Sequence, residues 1–163
     1  MVRAFIHGLE SSGRGTKGTY FGSRYPDMIV EDYFGTLKER MEKLKKVLKG
    51  KTDITLVGSS YGGLMAAMYA LDNPSRVVKL ILLAPALDLD EFTAYRNKTA
   101  SIPVIVYHGS DDDVVPIDPV RHISDTIFTN LTYHIVKDDH PLSETFSTFP
   151  WDDLLDGLTN PLT

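Results

Sequence analysis

The chain has 163 residues, 42% hydrophobic and 24% charged, with no cysteine and a net charge of −5. This is the length and composition of a single soluble globular domain with a substantial core. It excludes a disulfide scaffold, thiolate catalysis and Cys-based metal centres. The acidic excess argues against general binding to nucleic acid or anionic lipid. It is concentrated in residues 111–163, which carry 2 basic against 11 acidic side chains, whereas residues 1–110 carry 15 against 11. The longest apolar run, Val77 to Ala84, is short and interrupted by Lys79, and the N-terminus lacks a secretory pattern. The expectation is a cytoplasmic protein without a stable membrane anchor, in which the sequons at Asn97 and Asn130 are chance matches.

Taken in chain order, apolar runs alternate with helical spacing. Val2 to Ile6 reads as a strand ending at His7-Gly8, and Met28 to Phe34 as a weaker one. Leu37, Met41, Leu44, Val47 and Leu48 follow a helical period that Gly50 stops. Ile54 to Val57 is a strand, and Leu64 to Leu71 a helix apolar on nearly all sides, closed by Asn73-Pro74. Val77 to Leu83, Pro103 to Tyr107 and Leu131 to Val136 are three further strands. Phe92 to Arg96 and Val120 to Ile127 are predicted helices, and a last one is predicted over about Leu142 to Leu155. Such alternation implies crossover connections and about six parallel strands in a three-layer α/β/α sandwich, within one domain spanning 1–163.

The strongest chemical signal is Gly58-Ser59-Ser60-Tyr61-Gly62, a G-x-S-x-G placed between a strand and an apolar helix. That context forces a sharp turn and holds the Ser60 hydroxyl above the sheet edge, near a helix N-terminus that favours negative charge. A serine hydroxyl needs a base, and the base needs an orienting carboxylate. In this type of fold the order along the chain is serine, acid, histidine, which leaves His122, His134 and His140. His134 lies inside a strand and His122 on a helix, whereas His140 follows a strand end, where ligands bind in open parallel sheets. His140 is therefore the expected base. The acid is one of Asp111, Asp112 and Asp113, which spacing alone does not rank.

Together these motifs resemble the α/β-hydrolase superfamily. His7-Gly8 resembles its HG motif, Gly58 to Gly62 its nucleophile elbow, His108 to Pro116 its H-G-x-x-D-x-x-V-P acid loop, and Asp139-His140 its terminal histidine turn. The resemblance implies a cofactor-free, metal-free serine hydrolase with Ser60, Asp112 and His140 as its triad. It also implies an oxyanion hole made by the backbone N–H groups of Leu9 and Tyr61. The HG motif stands only seven residues in, so the first strand corresponds to the one usually counted third. Only about 18 residues separate Ala84 from Pro103, too few for a lid domain. The likeness is to a minimal, lidless esterase fold acting on a small ester or thioester. The same triad also serves peptidases, carbon–carbon hydrolases and cofactor-free peroxidases, and the same fold serves scaffold proteins with little turnover.

Other features compete less well. Gly13 to Gly18 matches G-x-G-x-x-G, but it is displaced from the strand end where a dinucleotide site needs it. Seven basic residues between Lys38 and Lys51 read as the solvated face of a sheet-covering helix. Leu87, Leu89, Phe92 and Tyr95 line an acyl pocket or form core, with equal expectation, and Phe146, Phe149 and Trp151 anchor the last helix. Glu10, Asp111, Asp113, Asp138 and Asp139 are expected to ring the mouth with negative charge and to favour neutral or cationic substrates.

Overall fold

Strand residues of alternating orientation make this sheet two-faced. In the computed structural model, which describes residues 1–156, six strands pair in the order β2-β1-β3-β4-β5-β6, all parallel. They are β1 (Val2–Ile6), β2 (Ile29–Val30), β3 (Ile54–Ser59), β4 (Val77–Leu83), β5 (Val104–Gly109) and β6 (Leu131–Val136). Ala4, Ile6, Leu56, Leu80, Leu82 and Val106 point to one face. There they pack under α2 (Leu37–Val47), α3 (Tyr61–Asp72) and α4 (Ile117–Ile127). Phe5, Val57, Ile81, Leu83 and Tyr107 point to the other, under α1 (Thr16–Arg24) and α5 (Trp151–Leu155). The result is the expected α/β/α sandwich around a parallel sheet, with no lid among the described residues. Among the described residues no helix is long and apolar enough to cross a membrane.

Most predicted elements are present, with informative differences. Helix α2 starts one residue after Thr36, whose hydroxyl accepts the Glu39 N–H at 3.2 Å in a capping box. The weak run from Met28 contributes only Ile29 and Val30 to the sheet. Phe92 to Arg96 forms a 3₁₀ turn, Asp90–Tyr95, whose Phe92 is fully buried and stacked on Tyr95. The long last helix is absent. Leu142 adopts φ +58°, a 3₁₀ turn covers Phe146–Thr148, and helix resumes only at Trp151. The reason is local: Pro150 disfavours helical backbone at Phe149, and the Asp138 carboxylate takes the Glu144 and Thr145 N–H groups. Helix α1, not foreseen, occupies the glycine-rich stretch after the first strand and buries Phe21 against Phe5, Phe146 and Trp151.

Candidate active site

The turn from β3 into α3 places Ser60 at φ +55°, ψ −114°, a conformation costing a non-glycine residue roughly 1–3 kcal/mol. Four backbone hydrogen bonds hold it there. The Ser60 N–H donates to Leu83 O at 2.8 Å, and Ser60 O accepts from Gly63, Leu64 and Ala86. The turn also needs Gly62: a Cβ there would lie 2.1 Å from Ile6 O and 2.5 Å from His7 O. Glycine thus lets the elbow press against the end of β1, where the HG segment begins.

Ser60, His140 and Asp112 form one hydrogen-bonded chain. His140 Nε2 lies 3.0 Å from Ser60 Oγ, and His140 Nδ1 lies 2.7 Å from Asp112 Oδ2. The aspartate side chain is fully buried. Burial alone raises its pKa, but the Val115 and Val114 N–H groups, at 2.8 and 2.9 Å from Oδ1, and the His140 bond outweigh it. The carboxylate is held below its usual range and stays an acceptor. His140 Nδ1 therefore carries the proton donated to Asp112, and Nε2 accepts from the serine hydroxyl. Gly109 allows the acid and histidine loops to meet, since a Cβ there would fall 2.4 Å from Asp139 O. The other aspartates diverge: Asp111 is exposed and pairs with Lys137 at 2.8 Å, and Asp113 is exposed. The two other candidate histidines stand elsewhere, His122 exposed on α4 and His134 stacked on Tyr107.

Leu9 and Tyr61 both line the cavity at Ser60, and among the described residues neither backbone N–H meets a protein acceptor. His7 organises this corner. Its Nε2 accepts the Tyr33 N–H at 2.8 Å, so Nδ1 carries the proton and donates to Gly8 O at 2.7 Å. Burial holds its pKa below the usual histidine value and keeps the ring neutral.

His108, which opens the acid-loop motif, is a neighbour of Asp112 to which the sequence reading gave no role. It is fully buried, with Nε2 at 3.0 Å from Val115 O and 3.2 Å from Asp112 Oδ2, and Nδ1 at 2.6 Å from the Tyr133 hydroxyl. Both partners of Nε2 are acceptors, so Nε2 carries the proton and Nδ1 accepts from Tyr133. Its position immediately before Gly109 was the available signal.

The cavity beside Ser60 has a volume of about 760 Å³, and its walls fall into two limbs, one from each face of the sheet. One lies on the α1 face, between Phe5, Lys17, Leu142 and Phe146. The other runs along Ala86, Asp88 and Leu89 toward the 3₁₀ turn. Leu89 is thus a lining residue, whereas Leu87 and Phe92 are core. Phe146 serves both roles, and Trp151 is an anchor, its indole N–H donating to Phe146 O. The acidic mouth is not formed as expected. Of the five acids, only Glu10 lines the cavity. Asp138 is buried, accepting the N–H groups of Asp139, Glu144 and Thr145, and Asp139 accepts from Ser143. These carboxylates are spent on the loop that carries His140.

Residues 8–99 match the family model described as alpha/beta hydrolase fold. Over 47 residues the chain is 45% identical to the abhydrolase domain-containing protein lid-1 of Caenorhabditis elegans. That match covers 29% of this chain and only 13% of that protein. Among solved structures, alpha/beta hydrolase domain-containing protein 10 from mouse superposes with a TM-score of 0.76 at 20% identity, covering 96% of this chain and 90% of that one. Est1E from Butyrivibrio proteoclasticus, bound to ferulic acid, gives 0.71 at 16% identity, covering 90% and 84%. The Paleococcus ferrophilus monoacylglycerol lipase gives 0.70 at 14% identity, covering 87% and 86%.

Proposed function

Because the chain belongs to the alpha/beta hydrolase fold family, we propose that it is a serine hydrolase cleaving a small carboxylic ester or thioester through an acyl-enzyme. The observation that carries this reading is the unbroken chain from Ser60 Oγ through His140 to the buried Asp112, at 3.0 and 2.7 Å, beside a cavity. Ser60 Oγ attacks the acyl carbon while His140 Nε2 takes its proton, and Asp112 stabilises the resulting imidazolium. The tetrahedral oxyanion is received by the Leu9 and Tyr61 N–H groups. His140 then protonates the departing alcohol or thiol. Water, deprotonated by the same imidazole, attacks the acyl-enzyme, and the carboxylic acid leaves as the Ser60 hydroxyl is restored. The monoacylglycerol lipase and the ferulic-acid-bound Est1E among the structural neighbours are consistent with such chemistry. The protein acts in this reading on a small molecule in the cytoplasm.

The test is labelling of wild type and Ser60→Ala by a fluorophosphonate probe, with hydrolysis of p-nitrophenyl acetate and butyrate followed in parallel. Labelling and turnover that both vanish in the variant are expected. A folded wild type that neither labels nor turns over would overturn the reading in favour of a binding protein on the same fold.

A further inference from the structure

Lys17 is the one lysine or arginine that lines the cavity at Ser60. It stands in the first turn of α1, on the limb lined by Phe5, Leu142 and Phe146. Its ammonium lies 5.3 Å from the centroid of the Phe146 ring and donates to Pro141 O, the carbonyl immediately after His140. An ammonium has three N–H donors, and this carbonyl takes one. Among the described residues no carboxylate forms an ion pair with it.

The surrounding acids do not fill that role. Asp138 and Asp139 act on Lys17 through their field, yet their oxygens are engaged by backbone and hydroxyl donors of their own loop. Desolvation outweighs that field and lowers the lysine pKa. Asp88 belongs to the other limb, beside Leu89. Glu10 is exposed and forms no ion pair among the described residues. A partly desolvated cation with free donors, facing an apolar-walled limb of a reaction cavity, is a recognition element for an anionic group.

We propose that Lys17 is a specificity-determining residue that binds a carboxylate carried by the substrate, so that the preferred ester bears a negative charge on the limb lying over Phe146. This deepens the serine-hydrolase reading and rests on it. It also reverses the preference for neutral or cationic substrates that the acidic composition of residues 111–163 suggests. The carboxylate belongs to either half of the ester, and matched substrates separate the two sources.

The experiment compares mono-p-nitrophenyl glutarate and adipate with p-nitrophenyl valerate and hexanoate, which differ only in the terminal group of the acyl chain. For the alcohol side it compares 4-acetoxybenzoate with 4-methylphenyl acetate, each corrected for its rate with hydroxide. Wild type, Lys17→Met, Lys17→Gln and Lys17→Arg are measured, with Ser60→Ala subtracting neighbouring-group hydrolysis. The readout is the ratio of kcat/KM for the charged over the neutral partner. In one of the two series this ratio is expected to fall by about ten-fold or more in the Met and Gln variants, the loss of one charge-assisted hydrogen bond, and to recover in Arg. An unchanged ratio, including an equal loss on every substrate, would overturn the proposal and leave Lys17 as a tie to the His140 loop. Calorimetric titration of glutarate and 4-hydroxybenzoate into Ser60→Ala, with and without Lys17→Met, separates this failure from that of the parent reading. Lysine-dependent binding of either acid supports the anion site even if Ser60 proves unreactive, and binding of neither, or binding indifferent to Lys17, counts against it.

Discussion

His108 and Asp112 make a contact that the proposed triad does not require: His108 Nε2 lies 3.2 Å from Oδ2, the oxygen His140 also meets at 2.7 Å. Asp112 is thus gripped on Oδ1 by two backbone amides and on Oδ2 by two imidazoles. The two acceptors at Nε2, Val115 O and Asp112 Oδ2, make His108 the donor there, and its Nδ1 accepts from the Tyr133 hydroxyl.

His108 is accordingly a positioning residue for the acid. Replacing it by Leu should lower kcat on the order of ten-fold, a fraction of the ~10²–10⁴ that a positioned base supplies, with KM little changed. His108→Gln keeps a donor near Nε2 and should restore most of the loss. Equal defects in Leu and Gln, or a change confined to KM, would argue for a purely packing role.

His7 orients the Leu9 N–H through a rigid unit. Gly8 C=O and Leu9 N–H belong to one planar peptide and point opposite ways, so the bond from His7 Nδ1 to Gly8 O aims the amide. His7→Phe should cost kcat/KM about 10²-fold, comparable with loss of one oxyanion donor. His7→Asn, which retains a donor near Nδ1, should lose less. Affinity for a boronate inhibitor, which mimics the tetrahedral species, should fall in parallel; an unaltered boronate affinity in His7→Phe contradicts the assignment.

Strain at Ser60 predicts a stability difference between two inactive variants. Glycine accepts φ +55° without a Cβ penalty, whereas alanine does not. Ser60→Gly should therefore be more stable than Ser60→Ala by about 1 kcal/mol in urea unfolding. Equal midpoints and slopes would mean that the elbow is unstrained.

Asp138 ties acid stability to the loop that bears His140. Burial favours its neutral form, but donors from Thr145, Asp139 and Glu144 prevail and depress its pKa to about 2. A carboxyl depressed in the folded state stabilises it above the unfolded pKa near ~4, and that contribution disappears as pH falls toward ~2. Asp138→Asn should cost about 2 kcal/mol at pH 7, and the gap from wild type should narrow steadily below about pH 4. A gap that stays constant down to pH 2.5 would remove the ionised carboxylate as its cause.

Much of the fold is written locally. Strands β1, β4 and β6 match the runs read from the sequence residue for residue, and β4, buried along nearly its whole length, has almost no polar face to blur its limits. Ser60 was legible because a strand, two glycines and an apolar helix are contiguous in the chain. Helix α1 was not, because Gly15, Gly18 and Gly22 dilute its helical signal, and its stability comes from Phe21 meeting aromatic rings of α5 and the preceding turn.

The six strands and their parallel pairing follow from periodicity and punctuation, which are properties of neighbours along the chain, and the assignment of serine, acid and histidine follows from motifs that resemble those of the hydrolase family. The partners of each charge do not. Five acids suggested a negative mouth, but folding engaged Asp138 and Asp139 with amides and hydroxyls of their own loop and paired Asp111 with Lys137. The same folding brought Lys17, 123 positions before His140 in the sequence, onto the carbonyl that follows it. Composition counts charges, whereas electrostatics depends on distance and desolvation, and both are set by contacts between residues far apart in the chain.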